Sequence, residues 1–279
     1  MQRFGTGTRP AMLVVMLFEP ALSRLGDPLD DDRVLLFVGN ALIVATGDDM
    51  RLPTRAELAA LVPAETVHVG GLAGHAVETA HIDTATQLPS GWVHEPLRPL
   101  HGRLPDAEWA VAGRAFQLAE WDRTHRFCGV CGAPTERLAD ERARSCPQCA
   151  HRGYPRHSPA VIMRITRGDE VLLGRSSHFP PDMYSTLAGF VDVGESAEAA
   201  VRREVREEAG IEITEPQWFG SQSWAFPHSL MLGFTAEWAS GDVVADLTEL
   251  EDVQWFTRER LPVLPPPASI ARRLLDAWL

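Results

Sequence analysis

The sequence predicts an α+β protein: two folded domains with a small cysteine-bearing module between them. Three observations carry that expectation. Residues 1 to 88 hold short apolar runs, RVLLFVG, ALIVA and ETVHVGGLAG, broken by Gly, Pro and Asp, which is the pattern of a mainly β domain. All four cysteines fall within 22 residues, as two CxxC pairs with 14 residues between them. Strand-like runs and one capped amphipathic helix then fill the segment from 158 to 279. A chain of 279 residues also exceeds the usual size of a single domain.

The expected parts are an N-terminal domain with its linker over 1–106, a helix and cysteine module over 107–157, and a C-terminal domain over 158–279. In the first part, one helix is expected near 54–62. The proline-rich stretch 89–106, LPSGWVHEPLRPLHGRLP, reads as a connection. DAEWAVAGRAFQLAEWDRTHRF has helical periodicity and leads into the first cysteine pair. AVIMRITRGDEVLLGR reads as a β-hairpin turning at Arg167-Gly168-Asp169.

With 45% hydrophobic and 23% charged residues, the composition is globular. The formal net charge of −12 disfavours binding to duplex nucleic acid, which depends on a basic surface. AMLVVMLF at 11–18 follows Arg3 and Arg9 and resembles a short signal-peptide core, but it is only eight residues long, ends at Glu19-Pro20 and reads equally well as a buried strand. No apolar run approaches the length of a transmembrane helix, so no membrane partner is expected and a cytoplasmic location is the default.

Cys128 and Cys131 in CGVCG, with Cys146 and Cys149 in CPQC, have the spacing of a tetrahedral Zn²⁺ site of four thiolates. Gly129, Gly132 and Pro147 supply the turns that such knuckles need. Two disulfides or a redox pair would use the same residues, but a reducing compartment disfavours the first and the duplicated motif the second. With no ligand position open, this zinc is structural, one per chain. Zinc ribbons also bind nucleic acid, so a non-catalytic nucleic-acid-binding protein is an alternative from a different functional class.

VRREVREEAG, residues 201–210, sets Glu204, Glu207 and Glu208 at about 0°, −60° and +40° around a helix, within one stripe. Ser196 can cap this helix, Glu198 complements its dipole, and Gly210 suits the left-handed position that ends it. Val201, Val205 and Ala209 form the expected buried stripe. Arg203 can pair with Glu207, while Arg206 lies on the other side and leaves Glu204 and Glu208 unmatched. A solvated charged face is the bland reading; a divalent-cation edge is the functional one.

The upstream sequence favours the second. GFVDVGESAEAAVRREVREEAGI, from Gly189 to Ile211, matches without a gap the Nudix box: Gly189, Glu195, Arg203, Glu204, Val205, Glu207, Glu208, Gly210 and Ile211 fill its specified positions. Beyond it, SQSWAFPHS at 221–229 resembles the SQPWPFPxS signature of the NADH pyrophosphatase, or NudC-type, branch of Nudix hydrolases. Ser223 and Ala225 replace two prolines of that signature, which loosens the loop. The ribbon before the box, FQLAEWDRTHRFCGVCG, YPRHSP and SIARRLLDAWL extend the likeness over about 113–279, with a weaker match at PLRPL.

This resemblance implies a C-terminal α/β/α sandwich with a mixed sheet, and hydrolysis of NAD(H) to NMN(H) and AMP using Mg²⁺ or Mn²⁺. It also implies removal of NAD caps from RNA, leaving a 5′-monophosphate. Glu204, Glu207, Glu208 and Glu249, with the backbone carbonyl of Ala188, are then the ligands of the catalytic ions. Glu208 binds or deprotonates the attacking water, and Glu195 and Arg203 orient the loop and helix. Phe190 stacks an adenine, and Tyr154 of the partner subunit covers its other face in a homodimer. Gln222, Ser223, Trp224, Ala225, Phe226, Pro227, His228 and Ser229 bind substrate, Ile162 and Ala271 line the same pocket, and Arg98 in PLRPL reaches the substrate from the N-terminal part. Another nucleoside-diphosphate derivative, ADP-ribose or a dNTP, is the alternative substrate.

Overall fold

The computed structural model describes residues 18–23, 26–47 and 50–279. The strand expected over 11–18 lies outside them except for Phe18. The chain divides into two compact units, Met1–Arg156 and His157–Leu279.

The first unit is built on a six-stranded sheet. Its strands are β1 (Phe18–Pro20), β2 (Arg33–Val38), β3 (Ala41–Ala45), β4 (Val67–Leu72), β5 (His75–His81) and β6 (Trp92–Pro96). Their order is β1-β4-β5-β2-β3-β6, with β2 and β5 parallel and every other pair antiparallel. Val34, Leu36, Ile43 and Leu58 form one core beneath it. Helix α1 (Asp106–Thr124) packs against β4 and β5, burying Val111, Ala112, Ala115, Phe116 and Ala119. Phe116 meets Phe37 of β2 edge-on at 5.3 Å.

Two expectations for this unit are corrected. Residues 55–61 form consecutive turns, not a helix. Pro53 and Pro63 bracket the segment, and its bonds are mostly of the tight i→i+3 kind, Ala59 N–H to Ala56 O and Leu61 N–H to Leu58 O. The stretch 89–106, read as a connection, contains β6 and a 3-10 turn at Arg98–Leu100. Its prolines are tolerated because β6 is an edge strand and Pro96 ends it. The cysteine module follows α1 as a three-stranded sheet of β7 (Glu136–Arg137), β8 (Arg144–Ser145) and β9 (Arg152–Gly153).

The second unit contains β10 (Ser158–Arg167), β11 (Glu170–Arg175), β12 (Leu187–Phe190), α2 (Ala197–Ala209), β13 (Glu212–Ile213), β14 (Gln217–Trp224), β15 (Ser229–Ser240), β16 (Asp252–Thr257) and α3 (Ile270–Asp276). β10 and β11 form the expected hairpin, turning at Gly168 in the left-handed region. The seven-stranded sheet runs β13-β15-β10-β11-β16, with β12 on β10 and β14 on β15. It is mixed, because β10 and β15 are parallel while the other pairs are antiparallel.

Alternation along β10 makes the sandwich. Val161, Met163 and Ile165 face Val201, Val205 and Ala209 of α2, while Ile162 faces Ile270, Ala271 and Leu274 of α3. One strand thereby organises both helical layers. Among the described residues no helix is long and apolar enough to cross a membrane.

Candidate active site and zinc ribbon

Helix α2 has the predicted ends. Ser196 Oγ accepts from Ala199 N–H at 3.2 Å, and Gly210 takes φ 72°. Val201, Val205 and Ala209 are fully buried, which fixes the rotation of the helix and turns the glutamate stripe to one edge. Glu204 and Glu208 are buried there, and Glu207 is exposed.

Arg203 organises the edge. Its guanidinium donates to Glu195 at 2.9 Å twice, to Glu204 at 2.8 Å, to Glu207 at 2.9 Å and to the carbonyl of Phe190 at 2.8 Å. Glu204 is therefore not unmatched: the adjacent arginine reaches it because β12 and the loop bearing Glu195 draw the guanidinium over the helix. Arg206, on the opposite side, pairs with Glu212.

Glu208 has no such partner. The backbone N–H of Ala188 donates to it, but Glu208 Oε2 is buried without a hydrogen bond. Burial pushes its carboxyl up to about 8, and the charges of Glu204 and Glu249 add to that rise. Burial also raises Glu204, against the pull of Arg203. An orphaned carboxylate oxygen inside a set of mutually repelling acids is the donor chemistry that a hard divalent cation satisfies, so these residues fit one.

Glu249 comes from the loop before β16. Asp246 Oδ1 accepts from the N–H of Thr248 at 2.9 Å and its hydroxyl at 2.8 Å, and Asp246 O accepts from Glu249 N–H at 3.2 Å. Asp246 N–H and Val244 N–H in turn donate to Glu208 O and Ala209 O. The loop is thus tied to the end of α2.

A cavity of about 730 Å³ opens beside this edge. Glu204, Glu207 and Glu249, with Arg203 and Ala188 beside them, form its charged side, and Glu208 lies behind this edge outside the lining; Phe190, Trp224, Phe226 and Met231 contribute its apolar side. Trp224 and Phe226 meet edge-on at 4.9 Å. Phe190, Ala160 and Met231 lie in register on β12, β10 and β15, one row across the sheet.

In the cysteine module the four Sγ atoms lie within 4.8 Å of one another. The contacts Cys128–Cys149 at 3.6 Å and Cys131–Cys146 at 3.5 Å are too long for disulfides and near the ~3.8 Å edge of a tetrahedron with Zn–S of about 2.3 Å. Backbone N–H groups of Cys131 and Val130 lower the Cys128 thiol to about 6, while neighbouring thiols push Cys131 up and Cys149 up to about 12, since sulfurs this close cannot all ionise without a cation between them. The residues fit one structural zinc.

Comparison with known proteins finds the same parts of the chain. Residues 155–279 match the NUDIX domain, 123–154 the NADH pyrophosphatase zinc ribbon domain, and 31–121 the NADH pyrophosphatase-like rudimentary NUDIX domain. The chain is 49% identical over 213 residues to the NAD-capped RNA hydrolase NudC of Pseudomonas aeruginosa, covering 76% of each chain. The protein of the same description from Stutzerimonas stutzeri is 46% identical over 212 residues, again 76% of each, and that from Deinococcus radiodurans is 49% identical over 194 residues, 68% of this chain and 69% of the relative. The chain belongs to the NudC family of Nudix hydrolases.

The segment SQSWAFPHS divides in its placement. Trp224, Phe226 and Ser229 line the cavity, whereas Gln222, Ser223, Ala225, Pro227 and His228 are not part of its lining. Ala225 is buried, and His228 Nδ1 lies 3.1 Å from Ser158 Oγ. Ile162 of β10 and Ala271 of α3 sit in the core between sheet and helix, packed with Met231. Arg98 and Tyr154 belong to the first unit, where the half-exposed Tyr154 donates to Glu141 at 3.3 Å. Ala160, Val191, Asp192 and Met231 also line the cavity and were not singled out from sequence. Val191 and Asp192 occupy unspecified box positions, and Ala160 and Met231 are found only through strand register.

Proposed function

We propose that this NudC-family chain hydrolyses the diphosphate linkage of NAD(H), giving NMN(H) and AMP, and cleaves the same linkage at the 5′ end of NAD-capped RNA. The observation that carries this reading is one cavity with a row of carboxylates on one side, Glu204, Glu207 and Glu249, and aromatic rings on the other. A diphosphate needs the first and a base the second. The relatives named NAD-capped RNA hydrolase support the same substrate.

Mg²⁺ or Mn²⁺, when bound, would neutralise phosphate oxygens and activate water. Glu204, Glu207, Glu208, Glu249 and the carbonyl of Ala188 are the groups that would hold these ions. Glu208, whose buried carboxyl a bound cation would bring to its charged form, would accept the proton of the attacking water as the new P–O bond forms and the bridging P–O bond breaks. Glu195 fixes Arg203, and Arg203 spaces Glu204 and Glu207 along the helix edge. Phe190, Trp224 and Phe226 offer faces to a base, each stack contributing about 1 to 3 kcal/mol. A homodimer, with Tyr154 of the partner subunit completing the adenine site, belongs to the same reading. A cytoplasmic setting, which would keep the zinc-binding thiols reduced, belongs to the same reading.

Turnover of NADH, NAD-capped RNA, ADP-ribose and dATP, measured side by side, tests the substrate. The dinucleotide and the capped RNA are expected to lead; equal or faster turnover of ADP-ribose or dATP would overturn the specificity. Glu208→Gln is expected to lower kcat by about 1,000-fold or more with folding retained. Near-normal turnover of that variant at saturating Mg²⁺ and Mn²⁺ would remove Glu208 from its role.

A further inference from the structure

Gln222 stands at the end of the row that floors the cavity. On β14 it is in register with Met231, which is in register with Ala160 and through it with Phe190. From that place its amide could be expected to reach a nucleotide. Instead both ends of the amide are engaged elsewhere: Nε2 donates to Ala268 O at 2.6 Å, and Oε1 accepts from Ile270 N–H at 2.6 Å. The side chain pairs with the backbone on both sides of Ser269 as a neighbouring peptide would.

Ser269 is the N-cap of α3: its Oγ accepts from Arg272 N–H at 3.2 Å and donates to Pro266 O at 2.9 Å. Immediately beyond it, Ile270 and Ala271 pack on Ile162, Phe219 and Met231. The fit is close, since a Cβ on Gly233 of β15 would lie 2.8 Å from Ile270 Cδ1. Met231 faces the cavity as well as α3. At the other end of the helix, Arg164 of β10 donates to Leu274 O at 2.9 Å. The start of α3 therefore depends on Gln222, and Met231 rests on the start of α3.

We infer that Gln222 is a positioning residue: it fixes the first turn of α3 and, through Ile270 and Met231, sets the apolar wall of the cavity rather than contacting the nucleotide. The kinetic part of this inference rests on the proposed dinucleotide substrate; the structural part does not.

The test joins exchange and kinetics. In substrate-free protein, Gln222→Met is expected to speed amide hydrogen exchange over 270–272 by about tenfold or more, because Ile270 N–H loses its acceptor. With NADH the same variant is expected to raise KM about 3- to 10-fold while kcat stays within twofold, since losing one modest contact loosens the wall and leaves the acidic edge intact. Gln222→Glu keeps an acceptor for Ile270 N–H but loses the donor to Ala268 O, so it should fall between Met and wild type and serves if the Met variant folds poorly. Ser269→Ala weakens the same helix start, and its effect on KM should be clearly less than additive with Gln222→Met. Unchanged exchange in Gln222→Met and Gln222→Glu, or strictly additive effects with Ser269→Ala, would overturn the inference and return Gln222 to direct contact. If wild type cleaves no dinucleotide, the substrate reading fails, and the exchange measurement alone decides the role of Gln222.

Discussion

A Cβ on Gly189 would sit 1.9 Å from Cδ of Glu204 and 2.0 Å from its Oε1, so the carboxylate of α2 occupies the space a side chain would take on β12. The clash is with the far end of a flexible side chain, which can swing away without disturbing the sheet. Gly189→Ala is therefore expected to leave the melting temperature within a few degrees and to lower kcat/KM by about 100-fold as Glu204 leaves the metal edge. A titration of Mn²⁺ into the variant should show weakened binding without any substrate present. A fully active variant, or one that simply unfolds, would contradict this account. The pattern of the box marked Gly189, Glu204 and Glu208 by spacing alone. The arginine pairing of Glu204 was not visible, because it depends on where β12 and the Glu195 loop place a guanidinium, and neighbours along a helix give no sign of that.

At the scale of elements, α1 and the ribbon are joined through one carboxylate. Asp122 accepts from Arg137 at 2.7 Å twice and from Arg144 at 2.6 Å; Arg144 also binds Thr135, and Arg137 reaches Thr66 O at 2.7 Å. Burial opposes the charge on Asp122, but the two arginines outweigh it and hold the carboxyl below the ordinary aspartate value. Asp122→Asn leaves the buried Arg144 without its counter-charge and should cost about 3 kcal/mol, with faster zinc release to a chromogenic chelator. The sign of the pH dependence follows from the lowered value. The pairing stabilises fully above the unfolded value near 3.9 and is lost as pH falls through the folded one. The gap in melting temperature between variant and wild type should thus be flat from pH 5 to 8; a gap that grows steadily with pH there would contradict the assignment. Helix α1 itself was legible from its periodicity. Its partner was not, and neither was β6, whose prolines read as loop until the edge position of the strand makes them acceptable.

For the whole molecule, the two CxxC pairs and the Nudix box were legible because fixed ligand spacing and fixed helix spacing are local properties, whereas α3 behind the cavity and the row through Ala160 and Met231 required long-range register. Zinc stabilises only the folded ribbon, so chelation should lower the melting temperature and raise exchange in the peptides of the first unit, with one zinc released per chain. Freshly purified, reduced protein without zinc would contradict the site. The homodimer is tested by complementation. Tyr154 is 51% exposed and Phe190 60% exposed, two large aromatic surfaces left open to solvent in a single chain. In the proposed dimer Phe190 covers one face of the adenine and Tyr154 of the partner subunit the other, so Tyr154→Ala should raise KM for NADH by the equivalent of about 1 to 3 kcal/mol with little change in kcat. Mixing Tyr154→Ala chains with Glu208→Gln chains then gives heterodimers in which one site has both an intact Glu208 and an intact Tyr154. Such mixtures should recover near-normal KM at a reduced number of active sites. A sedimentation experiment showing a fully active monomer, or mixtures that keep the high KM of the Tyr154→Ala chain, would exclude a site shared between subunits.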